Sequence, residues 1–165
     1  MASNKFDVKD IPSYRESAKR LKKSLTIKNF KLNKKYQNLG KGLTFCVRTY
    51  GCQSNFKDSE HIAGILTKLG YKYEPEILKA NLIILNTCAI RENAEKKVFG
   101  EIGFLSKLKK TNPNLLFGIC GCMSQEEHVI KKIMNTNNNI NFVIGVHNID
   151  ELPEVIYDVI KNKKR

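Results

Sequence analysis

From Gly42 onward the chain alternates short β-rich runs with segments of helical periodicity. The first run is Leu43-Thr44-Phe45-Cys46-Val47-Arg48-Thr49-Tyr50. It puts Leu43, Phe45, Val47 and Thr49 on one face and Thr44, Cys46, Arg48 and Tyr50 on the other. Residues 57–69 follow with Ile62, Ile65, Leu66 and Leu69 at helical spacing, Asn55 or Asp58 as the expected cap and Gly70 as the stop. Leu82-Ile83-Ile84-Leu85 has no polar alternation, which predicts a strand covered on both faces. A second helix is expected over 92–109 with Ala94, Val98, Ile102, Leu105 and Leu108 inward, weakened locally by Gly100 and Gly103. A strand over 115–119 precedes a third helix, for which Ser124 and Glu127 have the spacing of a capping box. Phe142-Val143-Ile144 is a further strand. Asp150 and Pro153 then start a last helix with Leu152, Val155, Ile156, Val159 and Ile160 inward.

Four β-α units in succession predict an α/β fold: an open, mostly parallel, Rossmann-like three-layer sheet with helices on both faces. The strand order is left open. At 165 residues with 41% hydrophobic content, the chain suits one domain with a proper core. No apolar stretch approaches the ~20 residues that span a bilayer. The first residues hold no apolar signal-like segment, so the expected setting is the cytoplasm, without membrane attachment.

Charge divides the chain. The net charge is +13, of which residues 1–41 carry +9 and residues 42–165 only +4. Residues 1–41 are therefore expected to form a basic N-terminal extension, with a helix over 10–30, on a nearly balanced domain at 42–165. Such an extension suits phosphate backbones or an acidic surface, and equally a solvated tail.

The candidate chemistry lies in the cysteines. Five is an odd number, and cytosolic thiols stay reduced unless catalytic or metal-bound. Cys52, Cys88 and Cys122 each follow a strand-like run and precede a helix. In an open α/β sheet those positions line one crevice, where free amides and the positive helix ends favour thiolates. Arg91 adds positive charge beside Cys88. The placement predicts a three-thiolate site for an iron–sulfur cluster, with zinc as the alternative. Cys46 lies within a strand and is expected to pack in the core. Cys120, two residues before Cys122, is expected in the core or as a substitute ligand. His61, His128 and His147 are read as surface residues rather than as a fourth zinc ligand. Phosphate-binding glycine motifs and a serine nucleophile elbow are absent from the sequence.

Tyr50-Gly51-Cys52-Gln53-x-Asn55, Asn86-Thr87-Cys88-x-Ile90-Arg91-Glu92-x-Ala94 and Gly121-Cys122-Met123-x-Gln125 occur in that order. Together they resemble the N-terminal domain of the radical-SAM methylthiotransferases over roughly 43–160. Gln53 makes the chain similar to the MiaB-type tRNA enzymes rather than to the branches acting on threonylcarbamoyl-adenosine or a ribosomal protein. The resemblance implies that Cys52, Cys88 and Cys122 bind an auxiliary [4Fe–4S] cluster with one open iron on the sulfur-donor side. It further implies a second [4Fe–4S] cluster and S-adenosylmethionine elsewhere in the enzyme, whose radical takes hydrogen from C2 of adenine. The implied substrate is N6-isopentenyladenosine in the tRNA anticodon stem-loop, converted to its 2-methylthio derivative. Three departures stand out. Ser54 replaces the commoner methionine, and the sequence holds no C-x-x-x-C-x-x-C run and stops at Arg165. The chain is accordingly expected to be a fragment, inactive alone, whose partners are tRNA and the remaining domains. Two non-catalytic readings compete: a zinc- or cluster-stabilised binding module, and a plain interaction domain with buried thiols.

Overall fold

The computed structural model describes residues 32–88, 92–136 and 139–162. The expected helix over 10–30, the charge of Arg91, the inward side chain of Ala94 and part of the turn at 137–139 lie outside the described residues.

The chain forms β1 (Thr44–Tyr50), α1 (Gln53–Lys68), β2 (Lys72–Tyr73), β3 (Leu82–Thr87), α2 (Glu92–Thr111), β4 (Leu116–Gly121), α3 (Glu127–Thr136), β5 (Phe142–Ile144) and α4 (Leu152–Asn162). Five parallel strands lie in the order β2-β1-β3-β4-β5. From β1 the chain steps outward to β2, then crosses back to β3 on the other side of β1. The order therefore reverses between β1 and β3, and an open parallel sheet has its crevice at the carboxyl end of such a point.

The run Leu82-Ile83-Ile84-Leu85 shows why three layers form. Leu82 and Ile84 pack with Ile62, Leu66, Leu152 and Ile156 of α1 and α4, whereas Ile83 and Leu85 pack with Val98, Ile102 and Ile133 of α2 and α3. All four are fully buried. Alternation along β1 likewise sends Phe45 to the α1/α4 side and Cys46 to the α2/α3 side. Gly118 of β4 makes room for a ring, because a Cβ there would stand 2.2 Å from the Phe142 side chain.

Several expectations change. β2, a two-residue edge strand, carries no periodicity of its own and exists through its pairing with Thr44 and Phe45. α1 begins four residues before the expected start, and its N-cap is Cys52 rather than Asn55 or Asp58. The expected capping box at Ser124 is replaced by a 3-10 turn (Cys122–Gln125), in which the Ser124 hydroxyl donates toward the carbonyls of Gly121 (2.6 Å) and Ile144 (2.8 Å). Ile160 is 38% exposed rather than inward. α4 runs about 16 Å beside an edge strand of about 10 Å, so its last turn overhangs the core.

Residues 32–41 pack on the domain. Leu32, Tyr36 and Leu39 lie against the α1/α4 core, and the Tyr36 ring meets Tyr157 edge-on with centroids 5.6 Å apart. The Gly40 amide donates to the Leu69 carbonyl at 2.9 Å.

Candidate cysteine site at the carboxyl edge

The register of the sheet sets the site. Tyr50 pairs with Thr87 and Thr87 with Gly121, so the last residues of three neighbouring strands stand in line. Cys88 and Cys122 come one residue later and Cys52 two. The Cys88 amide extends the ladder by donating to the Tyr50 carbonyl at 2.9 Å.

Two glycines bring the chains together. A Cβ on Gly51 would stand 2.8 Å from the Cys88 Cβ and 2.3 Å from Asn55 Oδ1. A Cβ on Gly121 would fall 2.1 Å from the Thr87 carbonyl oxygen, and Gly121 holds φ at +110°. Both contacts forbid a side chain, and the second also needs a backbone conformation that L-residues rarely adopt. The Gly-Cys pairs at 51–52 and 121–122 are thus the seams along which the β1 and β4 ends meet the Thr87-Cys88 backbone.

Cys52 is exposed, Cys122 half-buried and Cys88 buried. The amides of Asn55 and Ser54, in the first turn of α1, point at the Cys52 sulfur and hold its thiol below the ordinary range, with a smaller contribution from the Cys88 side chain. Cys52 and Asn55 form a capping box, with sulfur in the place usually taken by a hydroxyl. The Cys122 thiol is pushed up by burial and by the negative charge of Cys88, Cys52 and Asp58. The three thiols are therefore within electrostatic reach of one another. Among the described residues, no group of three or more Cys, His, Asp or Glu side chains stands ready to hold a metal ion without movement.

A buried amide pair lies beneath this edge. Asn55 Nδ2 donates to Asn86 Oδ1 (3.2 Å) and toward the Thr87 carbonyl (3.4 Å), while Asn86 Nδ2 donates to the Asn55 carbonyl (2.7 Å) and Ser59 Oγ (2.9 Å). Neither asparagine is exposed. The sequence pattern marks Asn55 as a possible cap and assigns Asn86 no role. The signal that could have found them is an amide beside each of the first two cysteines, at positions where apolar residues would otherwise fill the core.

The other candidates have different surroundings, although Cys120 is near enough to feel the charge of Cys122. Cys46 is buried in the α2/α3 core, and burial pushes its thiol up to about 11. Cys120 is fully buried on the α1/α4 side, its thiol raised to about 12 by burial. β4 ends at Gly121, so Cys122 opens the following 3-10 turn rather than continuing the strand that carries Cys120. His61 Nε2 is 2.7 Å from Asp150 Oδ1, His128 Nδ1 is 3.8 Å from Glu126 Oε2, and His147 is exposed.

A parallel three-layer sheet with cysteines just past the ends of three neighbouring strands defines the class: an open α/β domain with three thiols at its carboxyl edge. The chain belongs to the family described as "Uncharacterized protein family UPF0004", whose family model matches residues 44–145. It is 50% identical over 153 residues to the "tRNA-2-methylthio-N(6)-dimethylallyladenosine synthase" of Staphylococcus epidermidis, covering 92% of this chain and 30% of the relative. Proteins of the same name from Bacillus cereus (50% over 154 residues; 93% and 30%) and Staphylococcus haemolyticus (48% over 153 residues; 92% and 30%) are similar to it. The chain thus spans about 30% of the length of these curated relatives. Among the described residues, no helix is long and apolar enough to cross a membrane.

Proposed function

We propose that this chain is the cluster-bearing N-terminal part of a cytoplasmic tRNA methylthiotransferase that converts N6-isopentenyladenosine beside the anticodon to its 2-methylthio derivative. The observation that carries the reading is the alignment of Cys52, Cys88 and Cys122 at three adjacent strand ends, with Gly51 and Gly121 clearing their approach. The names of relatives at 48–50% identity supply the reaction. The donor set fits the proposed group. Three soft sulfurs, one already favoured as a thiolate, suit an iron–sulfur cluster, and a cluster spreads its ligands more widely than a single ion.

In this reading Cys52, Cys88 and Cys122 hold a [4Fe–4S] cluster and leave one iron without a protein ligand. When bound, the cluster supplies the sulfur side of the transfer. The first-turn amides of α1 stabilise the Cys52 thiolate, while the buried Thr87 and Gly121 backbone keeps Cys88 and Cys122 in place. Residues 42–165 form the cluster-binding domain and 1–41 its basic extension. The second cluster and S-adenosylmethionine belong to other parts of the enzyme, because the five cysteines here include no C-x-x-x-C-x-x-C spacing. The chain by itself is therefore inactive, and tRNA and the remaining domains are its partners.

Anaerobic reconstitution with iron and sulfide tests this. The expected result is a brown protein absorbing broadly near ~400 nm with about four iron per chain. Cys52→Ser, Cys88→Ser and Cys122→Ser each lose it, and Cys46→Ala keeps it. Stoichiometric zinc that resists replacement by iron, or iron lost as fully from Cys46→Ala as from Cys52→Ser, would overturn the assignment.

A further inference from the structure

One side chain touches both of the first two cysteine segments. Asn55 Oδ1 accepts from the Cys52 amide at 3.1 Å and from the Cys52 thiol at 3.3 Å. On its other side Nδ2 reaches Asn86 Oδ1 at 3.2 Å and the Thr87 carbonyl at 3.4 Å, the peptide leading directly into Cys88. An amide offers two acceptor sites and two donor hydrogens. Both hydrogens and the site facing the Cys52 amide are engaged whatever the state of the thiol, and the thiol fills the other acceptor site only while protonated. The orientation is fixed as well. Flipping the amide would set Nδ2 against the Cys52 N–H, and Oδ1 against Asn86 Oδ1 and the Thr87 carbonyl.

Asn86 returns the contact. It donates to the Asn55 carbonyl and to Ser59, whose hydroxyl also meets Thr49 Oγ1 at 2.7 Å. Both asparagines are fully buried. Two buried amides whose bonds close on each other form a rigid connection, because breaking any one of them leaves a polar group unpaired. If the network served only to fill the core, apolar side chains would do as well. Its bonds end instead on the backbone or sulfur of Cys52 and on the peptide before Cys88.

We propose that Asn55 is a positioning residue that clips the Cys52 loop to the end of β3 and so sets the Cys52–Cys88 separation, with Asn86 as its buried anchor. The proposal deepens the cluster reading, since a cluster held by three cysteine segments forms more readily when two of them are already held at a set spacing. Asn55 is itself no ligand in this scheme. It acts through Cys52.

The test begins in metal-free protein. Phenylarsine oxide binds two thiols held side by side, with release of water, and so reports the pairing without iron. In a Cys122→Ser background, Asn55→Ala is expected to weaken arsenical binding at least tenfold while Cys52 still reacts with iodoacetamide. Asn55→Asp, which keeps an oxygen facing Cys52 but loses both donors and adds a negative charge, is expected to do the same. Ser59→Ala removes a bond on the side away from the thiols. It should lower the melting temperature and leave arsenical affinity unchanged, which a purely structural network would not allow. In the Cys122-containing chain, both Asn55 variants are expected to retain less than half the wild-type iron after reconstitution. Wild-type arsenical affinity in either folded Asn55 variant would overturn the proposal. Failure of both to fold would also do so, by making the pair a core support. Should the wild-type chain take up no iron while the Asn55 variants lose arsenical pairing, the positioning role stands and the cluster reading falls.

Discussion

At the scale of single residues, the five cysteines are sorted by environment rather than by sequence neighbours. Cys52 sits at a helix N-terminus, where first-turn amides favour its thiolate. Cys46 and Cys120 are enclosed by hydrocarbon, which disfavours the charged form and raises their thiols from 9.0 to about 11 and about 12. The consequence for stability has a definite sign. A thiol protonated more tightly in the folded than in the unfolded chain contributes its full stabilisation below the unfolded value, near pH 9. That contribution is lost as pH rises through the folded values. Urea unfolding should therefore show a stability plateau to about pH 8.5 and a decline to about pH 11, on the order of 2 kcal/mol for each buried thiol. Tyr71, raised to about 12 by burial, adds to the loss at the alkaline end. A Cys46→Ala/Cys120→Ala double variant should start less stable and decline less steeply. An equal slope in that variant would show that the buried thiols do not drive the alkaline loss.

At the scale of elements, legibility followed how much of each element's cause is local. The β3 run is apolar because both its faces are covered, and residues 82–85 show that directly. The helical spacing of Ile62, Ile65, Leu66 and Leu69 likewise marked the buried face of α1. The start of α1 was hidden because a cysteine holds the cap position, where propensity points to Ser, Thr, Asp or Asn. β2 was hidden because two residues carry no period. The cysteine edge was legible from strand ends alone, whereas the Asn55–Asn86 pair was not, since its bonds join residues 31 apart. Ser124 is the sharpest reversal. Its spacing to Glu127 suggested a helix cap, yet its buried hydroxyl ties the Cys122 turn to the end of β5 through the Gly121 and Ile144 carbonyls. Ser124→Ala leaves those two carbonyls without this donor, so a loss of about 1–2 kcal/mol is expected in thermal or urea unfolding. A reconstituted Ser124→Ala protein should also release iron to a chelator faster than wild type. Stability and iron release both unchanged would remove Ser124 from the support of Cys122.

At the scale of the whole molecule, charge and packing together decide how the basic extension is best tested. Residues 1–31 hold nine Lys and Arg against three acids, and residues 32–41 add Lys34, Lys35 and Lys41. Those ten residues are not interchangeable with the first thirty-one. Tyr36 packs on Tyr157, Lys35 Nζ lies 4.3 Å from the Tyr157 ring centroid, and Gly40 is pressed against Tyr71 so closely that a Cβ would stand 2.0 Å from the ring. Removing all of 1–41 would strip aromatic and apolar contacts from the α1/α4 core and confound binding with unfolding. The informative deletion is therefore residues 1–31, made in an enzyme of the relatives' full length. If this segment helps hold tRNA, the deletion should weaken RNA binding at low salt and flatten its salt dependence. Each lost phosphate contact should reduce the slope of log affinity against log salt by roughly 0.7 to 0.9. Neutralising Lys34 and Lys35 to Gln in the intact enzyme should change that slope less, because Lys35 is already engaged with two tyrosine rings. Filter binding or fluorescence anisotropy across a salt series measures both. A slope unaltered by deleting residues 1–31 would take them off the RNA surface and leave them as a solvated tail.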